Sequence, residues 1–260
     1  MSPLAELRDP GRIRGLLFDI DETLTTDGKL TAAAYGAMEQ LQRAGKLLVP
    51  ITGRPAGWCD HIARMWPVDA VVGENGAFYF CFNQGRLYKQ FRDPDDVRAR
   101  NRNRLQAIGR EILGQVPGCA LASDQPYRET DLAIDFCEDV SPLPLETAGR
   151  IAALMRAAGL NAKISSIHVN GWFGSYDKLA TTQQLFAEFF KCSAAALQRE
   201  FAFAGDSPND APMFSFFDSS VGVANVSRFA EQIVTPPKYV TRAAAGAGFA
   251  ELAAHLLGER

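Results

Sequence analysis

Apolar and polar positions come in blocks along this chain. Gly15-Leu16-Leu17-Phe18 is a short apolar run that ends in acidic residues, and it reads as a buried strand. A helix is expected over residues 31–44, where Tyr35, Met38, Leu41 and Gln42 fall on one side and Gly45 is placed to end it. Residues 47–51 form a second apolar strand, stopped by Thr52-Gly53-Arg54-Pro55. Trp58, Ile62 and Met65 then recur at helical spacing until Pro67, and Ala70-Val71-Val72 is a third strand before Gly73-Glu74-Asn75-Gly76. The same grammar returns later. Residues 176–190 read as a helix with Leu179, Leu185, Phe186 and Phe189 on its apolar side, and residues 201–204 as a strand ending in Gly205-Asp206. Met213, Phe214 and Phe217 suggest a short helix, residues 221–223 and 232–234 two short strands, and Phe249, Leu252 and Leu256 a last helix. Continuous apolar strands alternating with helices signal an α/β fold, with a parallel sheet covered on both faces.

Between the two halves the character changes. A helix over 95–113, a strand over 131–136, a helix over 145–158 and a strand over 162–169 give an α+β segment. The expected division is core (1–81), inserted cap (82–174) and core again (175–260). The start of the insert is basic, with eight Lys/Arg and three Asp from Arg86 to Arg110. Val97, Leu105, Ile108 and Ile112 form one apolar stripe there, flanked by Arg98 and Arg102 on one side and Arg100 and Arg104 on the other. Split basic flanks describe a solvated amphipathic helix better than an anion-binding face.

The 260 residues are 47% hydrophobic and 22% charged, with a formal charge of −3, so disordered, collagen-like and coiled-coil classes are excluded. No overall basic footprint points to nucleic acid. No apolar run approaches the ~20 residues of a membrane span. The polar first residues lack the apolar centre of a signal peptide. Cys59, Cys81, Cys119, Cys137 and Cys192 are dispersed, without metal-knuckle spacing. Cys59 and His61 lie near each other but lack a second pair, and read as packing residues. The expectation is a cytoplasmic protein with reduced thiols.

Four short runs sit where strands end, and in open parallel sheets ligands bind at the carboxyl ends of strands. Asp19-Ile20-Asp21-Glu22-Thr23-Leu24 places two carboxylates two residues apart, which suits a nucleophile beside a hard divalent cation. Thr52-Gly53-Arg54 offers a hydroxyl and backbone N–H groups at a strand-to-helix turn, either for phosphate oxygens or simply as a helix cap. Lys178 opens a helix just after Asp177, where a cation opposes the helix dipole. Gly205-Asp206-Ser207-Pro208-Asn209-Asp210 is a bent, oxygen-rich turn of the kind that holds an ion.

Together, in this order, the four runs resemble the haloacid dehalogenase superfamily of phosphohydrolases. The match is full in Asp-x-Asp-x-Thr-Leu and in Gly-Asp-x-x-Asn-Asp, and the likeness spans core, insert and core. An insert between the second and third motifs, with Asn75-Gly76-Ala77 before it, is similar to the subgroup with a large α/β cap. That subgroup holds sucrose-phosphate, trehalose-phosphate and mannosyl-phosphoglycerate phosphatases, Cof-like sugar phosphatases and phosphomannomutases. Leu179 follows the lysine where many members have Gly. The resemblance implies a Rossmann-like core and a cytoplasmic Mg²⁺-dependent phosphatase acting on a small phosphate ester, most naturally a sugar phosphate. It implies Asp19 as nucleophile and Asp21 as acid–base group, with Thr52, Gly53, Lys178 and Asn209 on the phosphate. It implies Asp19, Asp21 (through its backbone carbonyl), Asp206 and Asp210 around the metal. Arg128, Asp131, His168 and Asn170 are the cap residues expected to meet the leaving group. The alternatives are a phosphomutase using the same aspartyl-phosphate, and a non-catalytic module phosphorylated on aspartate. Neither nucleic acid nor membrane is an expected partner.

Overall fold

The computed structural model describes residues 1–165 and 167–258. After a two-residue strand β1 (Ser2–Pro3), the buried run Gly15–Phe18 forms β2, and helix α1 (Ala32–Arg43) starts at Thr31, whose hydroxyl accepts the Ala34 N–H. There follow β3 (Leu47–Pro50), α2 (Ala56–Met65), β4 (Val71–Gly73) and a hairpin of β5 (Phe78–Asn83) and β6 (Arg86–Phe91). The insert supplies α3 (Asp95–Gln115), β7 (Ala120–Leu121), β8 (Asp131–Asp135), α4 (Leu145–Ala157), β9 (Asn161–Ile164) and β10 (His168–Trp172). The chain then returns through α5 (Lys178–Glu188), α6 (Ala194–Glu200), β11 (Phe201–Gly205), α7 (Ala211–Phe216), β12 (Ser219–Gly222), β13 (Tyr239–Val240) and α8 (Ala245–Leu257).

The main sheet is parallel, in the order β1-β13-β12-β11-β2-β3, and an Ile51–Val72 bridge carries it on to β4. Strand alternation divides its side chains between two cores. Leu16, Phe18, Leu48, Ala202 and Ala204 pack with α1 and α8 on one face. Leu17, Val49, Phe201 and Phe203 pack against Leu185, Phe186, Leu197 and Phe214 on the other. The expected doubly covered α/β core is what forms.

The cap is a four-stranded antiparallel sheet, β7-β8-β10-β9, with α3 and α4 on one face. Leu132, Ile134 and Val169 point to those helices, so Asp131, His168 and Asn170 point the other way. The basic stretch is a solvated helix: Leu105 and Ile112 face inward, while Arg98, Arg100 and Arg102 pair with Asp95, Asp96 and Glu129.

Several local expectations change. The strand expected over 162–169 is two strands, β9 and β10, paired antiparallel. Ser165 makes the turn, its hydroxyl accepting the His168 N–H at 3.0 Å. Residues 232–234 are not a strand: Val234 is 93% exposed, and the next strand is β13, beyond Pro236-Pro237. Two successive prolines supply no N–H for a ladder. The hairpin β5–β6 pairs onto β4, turning at Gln84 and Gly85, both with positive φ. Phe78, Phe80 and Phe91 join the core of the first sheet. On that packing we place the start of the cap after Phe91, later than residue 82.

Gly76 lies where the β4 turn meets the start of α5. It has φ +106°, and a Cβ there would lie 2.1 Å from the Asp177 carbonyl oxygen. Its own carbonyl accepts the Thr181 hydroxyl of α5. Gly76→Ala is therefore expected to destabilise the fold by about 1–3 kcal/mol, through strain and a backbone clash. A lowered urea midpoint at unchanged slope would register it; an unchanged midpoint would refute it.

Candidate active site

Asp19 follows β2 and Asp206 follows β11. The two strands are neighbours in the parallel sheet, so both acids emerge at the same edge. The Asp19 N–H donates to Ala204 O at 2.9 Å, which extends that pairing past the strand end. Lys178 is the first residue of α5, behind the N-cap Asp177, whose carboxylate accepts the Ala180 N–H at 2.7 Å. Asp210 lies in the turn before α7 and accepts backbone N–H groups of Asp206 and Ser207 on Oδ2. The result is one buried cluster. Lys178 Nζ donates to Asp19 Oδ1 at 2.8 Å and to Asp210 Oδ1 at 2.9 Å. Carboxylate oxygens of Asp19, Asp206 and Asp210 lie within 4.8 Å of one another.

Three buried carboxylates face one ammonium. Burial pushes Asp19 up to about 7, helped by Asp210 and Asp21 and opposed by Lys178. Burial, then Asp19 and Asp210, pushes Asp206 well above the usual carboxylate range. Burial works against the charge on Lys178, but Asp19 and Asp210 outweigh it and hold its pKa above normal. Such a set fits a small hard cation: the donors are all oxygen, and excess negative charge is concentrated at one point. Asp210 takes Lys178 on Oδ1 and backbone N–H groups of its own turn on Oδ2, so it anchors both, while Asp19 and Asp206, each just past a strand end, are the candidate ligands. Thr23 and Asn225 donate to the two oxygens of Asp206 and orient it.

Asp21 stands apart from this cluster. Its carboxylate receives Nε and Nη2 of Arg54 at 2.7–3.0 Å. Arg54 begins the turn after β3, and Thr52 Oγ1 accepts its backbone N–H at 3.0 Å. Its guanidinium also reaches the cap, to Glu138 Oε1 at 2.7 Å and Asp124 Oδ2 at 3.5 Å. Burial disfavours that charge, but the carboxylates around it, Asp21 first, raise its pKa above the ordinary arginine value. Burial alone would raise Glu138; contacts from His168 and Arg54 overturn this and hold it at about 2. His168 Nε2 lies 2.9 Å from Glu138 Oε2, within ion-pair range but poorly aligned for a hydrogen bond.

Of the four cap residues named from the sequence, Arg128 bonds directly to the core, Asp131 joins it to Asn170, and His168 lies against Glu138. Arg128 is fully buried, bonded to Asp124 at 2.9 and 3.0 Å, to Asp131 at 3.0 Å and to the Gly53 carbonyl at 2.8 Å. Asn170 donates to Asp131 at 2.8 Å. Arg128, His168, Asn170 and Asn209 border, with Asp19, Asp21 and Gly53, a space of about 10 Å³, room for roughly one water. Thr52 is buried at the start of the Arg54 turn and does not border that space. A further contact went unforeseen: Glu74 accepts the N–H groups of Ala56 in the core and of Glu129 and Thr130 in the cap. Arg54 could have been flagged from its place beside Gly53. Asp124, Glu138 and Glu74 carry no local signal.

If Asp19 and Asp206 hold a divalent cation, Mg²⁺ should raise the melting temperature of the wild type, and Asp206→Asn should lose most of that rise. At a concentration 100 times Kd the gain corresponds to about 2.7 kcal/mol. Equal shifts in both proteins would refute the assignment.

Residues 16–99 match the sequence model of the haloacid dehalogenase-like hydrolases. No curated protein matches the chain in sequence. Among solved structures, a Thermoplasma acidophilum protein aligns with a TM-score of 0.70 at 18% identity, over 94% of this chain and 98% of its own. A protein described as a HAD/COF-like hydrolase, from Plasmodium vivax, gives 0.69 at 17% identity, over 98% and 99%. The sucrose-phosphatase of Synechocystis, solved with sucrose and phosphate, gives 0.62 at 16%, over 94% and 98%. At such identities the likeness is one of fold. Residues 16–99 are thus similar to the haloacid dehalogenase-like hydrolases, and nearly the whole chain shares its fold with the HAD/COF-like structure from Plasmodium vivax.

Proposed function

We propose that the protein hydrolyses phosphate monoesters of small metabolites through a covalent phosphoryl intermediate on Asp19. The observation that carries this reading is the Lys178 bridge, which joins the expected nucleophile Asp19 to Asp210 beside the cation ligand Asp206.

An Asp19 oxygen attacks phosphorus, the ester P–O bond breaks, and Asp21, which must enter the substrate complex protonated, gives that proton to the departing alkoxide. Water then attacks the aspartyl-phosphate, Asp21 takes the proton back, and inorganic phosphate leaves with Asp19 restored. A divalent cation held by Asp19 and Asp206 would shield the anionic nucleophile from the anionic phosphate. Lys178 balances charge on the transferring group while fixing the Asp19 rotamer. The Thr52 oxygen accepts the Arg54 N–H, which leaves its own hydrogen free to donate to a phosphate oxygen. Asn209, whose Oδ1 accepts the Ser207 hydroxyl at 2.7 Å, turns its amide group toward the same small space. A sugar phosphate is the substrate class that the fold neighbours favour, since one of them is a sucrose-phosphatase solved with sucrose and phosphate.

A screen of phosphorylated sugars, glycerates and nucleotides, with and without chelator, tests the reading by release of inorganic phosphate. Turnover should need the divalent ion. Asp19→Asn should fall to background while still folding, because the amide fills the same volume and Asp210 remains to pair with Lys178. Wild-type turnover by Asp19→Asn would overturn the mechanism.

A further inference from the structure

The carboxylate of Asp21 is set by one side chain. Among the described residues, Arg54 is the group bonded to it, through three contacts of 2.7–3.0 Å. A guanidinium on a long side chain holds a direction only when its other donors are also engaged. Those donors go to the cap. Asp124 is the weaker partner, at 3.5 Å, because both its oxygens already serve Arg128 at 2.9 and 3.0 Å. Glu138 is the stronger, at 2.7 Å on Nη2.

Glu138 is itself firmly placed. It lies in the turn after β8, where Asp135 Oδ1 accepts the N–H groups of Cys137 and Glu138 and Oδ2 accepts that of Asp139, all at 2.8–2.9 Å. His168 lies against its other oxygen. Glu138 does not border the small space between Asp19 and the cap, so it faces the arginine rather than the reacting atoms. The path runs from a rigid cap turn, through Glu138 and Arg54, to the acid–base group.

We propose that Glu138 is a positioning residue: by fixing Arg54 while the cap is closed, it aims the Asp21 carboxylate for proton transfer. Acid–base catalysis is then available only under the closed cap. With the cap lifted, Arg54 loses Glu138 and Asp124 together and keeps only Asp21 and the face of Trp58, 4.4 Å from the guanidinium carbon. This rests on the phosphatase reading, in which Asp21 protonates the leaving oxygen.

Leaving-group dependence separates positioning from a merely structural role. Phenyl phosphate and p-nitrophenyl phosphate have nearly the same shape, but p-nitrophenolate departs readily without a proton and phenolate does not. The kcat/KM values report the step in which that group leaves. Glu138→Ala should lower kcat/KM for phenyl phosphate by about tenfold or more, and for p-nitrophenyl phosphate by less than about threefold. Glu138→Gln, which keeps an oxygen to accept from Arg54, should restore most of the loss. Should the alanine protein fail to fold, Arg54→Lys carries the comparison, since an ammonium cannot hold both carboxylates in the fork geometry, and the same selective loss is expected. Equal losses on both esters, or no loss, would overturn the role of Glu138 while leaving the phosphatase reading in place. A wild type that releases phosphate from neither ester nor from any compound of the metabolite screen would sink both.

Discussion

A lysine ammonium buried among carboxylates holds this molecule together at its functional centre. Lys178 comes from the start of α5, Asp19 from the end of β2 and Asp210 from the turn before α7. A bare charge in that setting would be costly, and removing one member of a buried pair typically loses about 3–5 kcal/mol. The parallel sheet must therefore bring these segments to one edge, and the sheet order does so by setting β2 beside β11. The same constraint creates the chemistry. One lysine cannot balance three acids, and the excess negative charge among Asp19, Asp206 and Asp210 makes the place suit a hard cation.

The seam between core and cap is built on different physics from either core. Each domain closes over aromatic and aliphatic side chains, and across the seam run ion pairs of Arg54 with Asp124 and Glu138 and backbone hydrogen bonds of Arg128 and Glu74, beside the apolar contacts of Trp172 and Tyr127. An apolar seam would hold the cap down by excluding water. Polar contacts exchange their partners for water with much smaller net change.

Much of the core was legible in the chain itself. Runs such as Gly15–Phe18 and Phe201–Gly205 are apolar at every step, a pattern that suits a strand covered on both faces, and the candidate site residues follow them immediately. The hairpin after Gly76 was harder to read, because Arg86–Phe91 is half polar and takes its identity from pairing with β5. The expected strand at 162–169 was two because a serine hydroxyl, not a glycine or proline, turns the chain there.

The sequence by itself determined the alternation of strands and helices and the identity of the residues at the strand ends, because these depend on local periodicity and on neighbours a few positions away. The tertiary structure alone decided which carboxylate each arginine would hold. Arg54 and Glu138 are 84 positions apart and Lys178 and Asp19 are 159 apart. Nothing local in either chain segment specifies its partner; burial does, since a charge taken out of water takes the counter-charge that the folded backbone puts within reach.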